Sequence, residues 1–134
     1  LYRCLIGNGT EVSGEVTNSV IGNGVMIGRG AKIRDSIVMH GAVIEDGAVL
    51  DKAIVAENAH IGQGAVIGCG DAVPNRVKPK IYGYGLAVVG EDTEVPPNVR
   101  IGRNTAVTGR TVPEDYPDGQ LASGGILDKA GVVS

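Results

Sequence analysis

The chain has 134 residues, a length suited to one domain, with 22 glycines and neither phenylalanine nor tryptophan. Hydrophobic residues make up 43% and charged residues 20%, which excludes an intrinsically disordered chain. The net charge is −3 and there is no basic run. No nucleic-acid backbone is therefore expected as a partner, and no apolar stretch reaches the roughly 18 residues a membrane helix needs. The shortage of large aromatics implies a narrow interior that small and branched aliphatics can fill.

Taken in chain order, four segments align. They are LIGNGTEVSGEVTNS from Leu5, VIGNGVMIGRGAKIRDS from Val20, IVMHGAVIEDGAVLDKA from Ile37 and IVAENAHIGQGAVIGCG from Ile54. The last three are 17 residues each, and VVGEDTEVPPNVRIGRN from Val88 is a fifth unit of that length. Inside each unit a six-residue step recurs. One column holds Ile6, Ile21, Val38, Val55 and Val89, the next Val12, Ile27, Ile44, Ile61 and Val95, and the third Ile33, Leu50, Ile67 and Ile101. Four places after each large aliphatic stands a smaller residue such as Val25, Ala42, Ala59 or Thr93.

This pattern predicts an all-β parallel β-helix of about five 17-residue coils forming a triangular prism, with regular coils over 5–70 and 88–104. Large aliphatics point inward and stack at the parallel-strand spacing of about 4.8 Å. An α-helix fails, because a six-residue step makes no stripe on a 3.6-residue wheel. Glycines that follow the aliphatics, Gly7, Gly22, Gly28, Gly62, Gly68, Gly90 and Gly102, are expected at corners with positive φ. Between inward positions, Val43, Val49 and Val66 are expected to face outward and form an apolar contact stripe, the latter two in one column.

Segment 71–87 carries two prolines and would place Lys78 in an inward column, so it is read as a loop excursion. From 105 to 134 the six-residue step is lost among the turn signals Pro113, Pro117, Asp118-Gly119 and Gly124-Gly125. An irregular tail that covers the open end of the prism is expected there.

Chemistry-bearing residues are sparse. His40 and His60 occupy different columns and are read as surface or corner residues. With two histidines, a three-histidine zinc site within one chain cannot form, and no metal or catalytic residue is assigned. The glycine pairs at Gly7 and Gly22 lack the following helix of a phosphate loop. Cys4 and Cys69 read as free thiols of a reducing compartment. Arg100, Arg103 and Arg110, with Arg76, Lys78 and Lys80 before them, form the one basic grouping suited to an anionic ligand.

Four features occur in order: the six-residue array, Pro74-Asn75-Arg76 to Pro79, the stretch GLAVVGEDTEVPPNVRIGRN from Gly85, and ASGGIL from Ala122. Together they resemble the C-terminal domain of bacterial glucose-1-phosphate adenylyltransferase, or ADP-glucose pyrophosphorylase. The resemblance implies a left-handed β-helix, fragment of a longer cytoplasmic chain. The N-terminal nucleotidyltransferase domain would join ATP and glucose 1-phosphate, with magnesium, for glycogen synthesis. This domain would bind no cofactor, would not catalyse alone, and would help form a homo-oligomer, dimer or tetramer. It would also share a site for an anionic sugar-phosphate or nucleotide effector near Arg100, Arg103 and Arg110. Two other readings stand beside it: a hexapeptide acyltransferase domain, and a non-catalytic regulatory subunit of the same adenylyltransferase.

Overall fold

A computed structural model describes residues 4–69 and 86–128. Every strand is parallel to its neighbours, and the strands form three sheets of seven, five and six. Each sheet takes one strand from successive coils, so the sheets are the faces of a prism. The first face runs through Leu5–Ile6, Val20–Ile21, Ile37–Val38, Ala53–Val55, Ala87–Val89, Thr105–Thr108 and Ile126–Asp128. The second face is Glu11–Val12, Met26–Ile27, Val43–Ile44, His60–Ile61 and Glu94–Val95. The third is Glu15–Thr17, Lys32–Arg34, Val49–Asp51, Val66–Cys69, Arg100–Gly102 and Gln120–Leu121. The architecture is a β-solenoid of about six turns, in keeping with the left-handed β-helix that the repeat implies.

Register makes the core. Ile21 pairs with Val38, Val38 with Val55, and Val55 with Val89, so one inward column becomes a continuous ladder. Ile27, Ile44, Ile61 and Val95 do the same on the second face, and Ile33, Leu50, Ile67 and Ile101 on the third. All are buried, as are the corner residues Val25, Ala42, Ala59 and Thr93. The short first unit closes by letting Val16 take the third-column place beside Ile33.

The third corner is one residue tighter than the others, and buried hydroxyls hold it. The Ser36 hydroxyl donates to the Arg34 carbonyl at 2.8 Å and accepts the Ala53 amide at 3.1 Å. Ser19 makes the same pair of bonds with Thr17 and Ser36. A buried hydroxyl is tolerated when both its donor and its acceptor functions are used.

Three expectations are corrected. First, of the glycines that follow the aliphatics, only Gly68 has positive φ. The others are needed for close approach: a Cβ on Gly22 would lie 2.7 Å from the His40 amide nitrogen of the next coil. The left-handed conformation falls two residues later, as at Gly64 with φ 71°, and in other coils Asn or Asp takes it.

Second, part of 105–134 is further coil. Thr105–Thr108 continues the first face from Ala87–Val89, Arg110 bridges to Glu94 on the second, and Gln120–Leu121 pairs with Arg100 and Ile101 on the third. Ile126–Asp128 then adds a seventh strand to the first face. The six-residue step vanishes because a 3-10 turn at Pro113–Asp115 and a second over Pro117–Gly119 stretch this coil between its faces. Third, the fifth unit begins at Ala87, a buried strand residue. The expected excursion over 71–87 lies outside the described residues from 71 to 85.

Tyr116 packs into the buried core and is 3% exposed. Its hydroxyl meets the Thr111 hydroxyl at 2.8 Å, and Thr111 donates to the Glu94 carbonyl. Burial pushes the Tyr116 pKa up, assisted by the charge of Asp115 and opposed by the Thr111 hydrogen bond.

Two outcomes follow from this packing. Ile44→Asp places a charge in the dry ladder and is expected to cost several kcal/mol, whereas Glu45→Lys is expected to cost under about 0.5 kcal/mol. Thermal melts of both variants check the column assignment. Tyr116 is held neutral in the fold, so its contribution to stability is complete below the unfolded tyrosine pKa of about 10 and falls as pH rises beyond it. Chemical denaturation between pH 8 and 11 is expected to show that loss in the wild type and a smaller one in Tyr116→Phe.

Candidate functional site

Residues about six apart in sequence fall on successive faces of the prism, and residues 17 apart fall on the same face. This geometry disperses the three arginines that the sequence groups. Arg100 stands on the third face in register with Val66 and Gln120. Arg103 lies at the corner beyond it, where its guanidinium reaches Asp51 Oδ2 at 3.3 Å. Arg110 belongs to the second face, where its Nε is 3.3 Å from Glu94 Oε2. The arginines thus line up along no single face.

The 17-residue spacing brings together a different set. Arg34 Nη2 is 2.9 Å from the same Asp51 oxygen that Arg103 approaches. Two guanidiniums therefore share one carboxylate at the corner between the third and first faces. The Asp51 side chain is 18% exposed and that of Arg103 22%, while Arg34 is open to solvent. The outer Arg34 contact is worth a few tenths of a kcal/mol, and the partly buried Arg103 contact more. Arg34 and Asp51 were not singled out by sequence reasoning. Their 17-residue separation, one coil, is the signal that would have found them.

The second face carries the other polar grouping. A groove of about 260 Å³ is lined by Glu45, His60, Glu94, Pro96, Pro97 and Pro113, among others. His60 Nε2 lies 3.1 Å from Glu45 Oε2 and is shielded from solvent, but the pair is misaligned for a hydrogen bond. His40 sits at another corner, 3.7 Å from Glu57. The two histidines stay apart, as their columns imply. Among the described residues, no group of three or more His, Cys, Asp or Glu side chains is arranged to hold a metal. No described helix is long and apolar enough to cross a membrane.

The expected apolar stripe is displaced. Val43, Val49 and Val66 are half-buried, and the column of Val49 and Val66 continues into Lys32 on one side and Arg100 on the other. The exposed apolar residues are at one end of the first face instead, where Leu5, Val20 and Ile37 stand in register; the same column continues through the half-buried Ile54 and Val88 to the buried Ala106.

Replacing Asp51 by Asn removes the carboxylate from between Arg34 and Arg103. A loss of about 1 kcal/mol in denaturant-measured stability is expected. Salt is expected to narrow the difference, because the released guanidiniums repel each other less at high ionic strength.

A family model described as the GMPPB C-terminal domain matches residues 3–121. A glucose-1-phosphate adenylyltransferase of Lachnospira eligens is 63% identical over 131 residues, 98% of this chain and 31% of its own length. The enzyme of the same name from Thermotoga neapolitana is 56% identical over 120 residues, 90% of this chain and 28% of its own. That of Acetivibrio thermocellus is 34% identical over 129 residues, covering 96% and 30%. The chain thus spans about a third of the length of these relatives.

Proposed function

Because the chain belongs to the GMPPB C-terminal domain family, we propose that it is the β-helix portion of a glucose-1-phosphate adenylyltransferase. The parent protein would join ATP and glucose 1-phosphate into ADP-glucose and pyrophosphate for glycogen synthesis in the cytoplasm. The observation that carries this reading is the 63% identity over 98% of the chain to a protein of that name. Surface columns as well as the inward ladder must agree to reach such a value, whereas the six-residue step alone constrains only the inward places.

This portion supports the enzyme without performing its chemistry. The nucleotide, the metal and the sugar phosphate would be bound by the part of the parent protein outside this chain, which would be its first partner and makes up about two thirds of the similar adenylyltransferases. The prism contributes a rigid body for packing against that part and for assembling a homo-oligomer. An anionic effector, a sugar phosphate or nucleotide, would be met by guanidiniums. Of the three arginines expected to meet it, Arg103 and Arg110 are paired with Asp51 and Glu94, and Arg100 stands on the third face in register with Val66 and Gln120.

The full-length parent is expected to release pyrophosphate from ATP and glucose 1-phosphate, and the 134-residue chain alone is expected to release none. Neither should the chain transfer an acetyl group from acetyl-coenzyme A. A turnover by the isolated chain that disappears on His40→Ala or His60→Ala would overturn the non-catalytic reading in favour of an acyltransferase. Full-length protein that is inactive on ATP with glucose 1-phosphate, but active with another nucleotide and sugar phosphate, would overturn the substrate assignment.

A further inference from the structure

One short stretch of the sequence returns nearly unchanged in the next coil. Ile6-Gly7-Asn8-Gly9-Thr10 is followed by Ile21-Gly22-Asn23-Gly24-Val25. In both, the asparagine stands exposed at the corner after the first face. The glycine behind it is exposed and left-handed, with φ 73° at Gly9 and 65° at Gly24. The local chemistry of the two Asn-Gly pairs is therefore the same. Their hydrogen bonding is not.

Corner amides of this solenoid donate to the coil before them. Gly24 donates to the Asn8 carbonyl at 2.9 Å, Gly41 to that of Asn23 at 3.0 Å and Gly64 to that of Asp46 at 3.0 Å. The Asn23 side chain is tied as well, since its Oδ1 accepts the Asn8 amide at 2.8 Å. Asp46-Gly47 repeats both contacts: Asp46 Oδ1 accepts the Arg29 amide at 2.9 Å, and the Gly47 amide donates to the Arg29 carbonyl at 2.9 Å. Asn8 and Gly9 belong to the first described coil. Among the described residues the Gly9 amide meets no acceptor, and the Asn8 side chain has no hydrogen-bond partner.

We propose that Asn8 is a site of spontaneous covalent modification, deamidation through a succinimide in which Gly9 supplies the nucleophile. Glycine suits that role because it has no Cβ to obstruct its own nitrogen and leaves the backbone free to swing. The Gly9 nitrogen gives its proton to hydroxide and bonds to Asn8 Cγ. The side-chain nitrogen takes a proton from water and leaves as ammonia, which closes a five-membered imide. Water then opens the ring. Breaking the bond from nitrogen to Cγ leaves aspartate at position 8. Breaking the bond from nitrogen to the main-chain carbonyl carbon leaves isoaspartate, whose backbone runs through the side chain. The net change exchanges an amide and a water for a carboxylic acid and ammonia, and the chain gains a negative charge.

At Asn23 the same steps are obstructed. The Gly24 amide must first leave the Asn8 carbonyl, and the Asn23 side chain must release the Asn8 amide before its Cγ can turn towards Gly24. Stacking of one coil on another thus protects Asn23 and leaves Asn8 open. The product bears on the fold. Isoaspartate inserts a methylene into the main chain between Ile6 and Val12, which are in register with Ile21 and Ile27, so the reaction loosens the first coil.

Peptide mapping of the full-length protein, incubated folded and in urea at pH 7 and pH 9, tests the proposal. Cleavage after Glu11 and Glu15 puts Asn8 and Asn23 in separate peptides. Each conversion reads as a one-dalton gain, and labelling by an isoaspartyl methyltransferase identifies isoaspartate. In urea the two sites are expected to react at comparable rates, because their local sequences match. In the folded protein Asn8 is expected to react at least about 10-fold faster than Asn23, where two hydrogen bonds must open first. Its rate is expected to be higher at pH 9, since the attacking amide must lose its proton. Asn8→Gln, which cannot close the five-membered ring, is expected to abolish the gain in the peptide that ends at Glu11. Equal rates at Asn8 and Asn23 in the folded protein would overturn the proposal. So would an Asn8 that stays intact in the fold over the time in which urea-unfolded protein converts it, or a gain that persists in Asn8→Gln.

Discussion

Every feature of this molecule depends on one constraint, the in-register stacking of parallel strands one coil apart. A strand of two or three residues has no stability alone. It persists because its amides bond to the coil on one side and its carbonyls to the coil on the other, as when Val43 donates to the Ala59 carbonyl and Met26 to that of Ala42. The same stacking brings Ile27, Ile44, Ile61 and Val95 into contact and keeps water from the interior. Neither the ladder of hydrogen bonds nor the ladder of aliphatics exists without the other. Stability is therefore shared among neighbouring coils, as in other solenoids.

The corners are where this constraint bears hardest. Coils 4.8 Å apart leave no room for a Cβ at places such as Gly22, whose hypothetical methyl would press on the backbone of the next coil. Two residues on, the chain must enter the left-handed region, and glycine, asparagine or aspartate takes that place. At the third corner the turn comes one residue earlier, and Lys52, with φ 53°, takes the place that Asn18 and Asp35 fill in other coils. The third corner, shorter by a residue, buries Ser19 and Ser36, and the two-way bonding of each hydroxyl makes that burial affordable.

Because the interior is spent on packing, whatever this domain does for a larger protein must be done by its faces and corners. The faces are chemically distinct. The first is apolar along its whole column, the second carries His60 and its carboxylates, and the third leads to the corner where Asp51 holds Arg34 and Arg103. A prism that sorts its outward residues in this way can meet several neighbours at once without changing shape. That suits a chain that spans about a third of the length of the adenylyltransferases it is similar to.

The sequence by itself determined the repeat, the inward columns and the approximate height of the prism, because a buried ladder forces the same residue class at the same place in each coil. It also determined that His40 and His60 lie apart, since column position decides the face. Outward residues obey no such rule, so their groupings were set by the tertiary structure. Arg100, Arg103 and Arg110 are neighbours in sequence and diverge across faces, while Arg34 and Arg103, far apart in the chain, converge on Asp51. The last coil was hidden for a related reason. Once the 3-10 turns around Pro113 and Pro117 stretch the spacing, only the backbone pairing of Thr105–Thr108, Gln120–Leu121 and Ile126–Asp128 reveals that the chain is still winding. The apolar column of the first face is likewise spread over residues one coil apart, and each becomes part of a surface only when the coils are stacked.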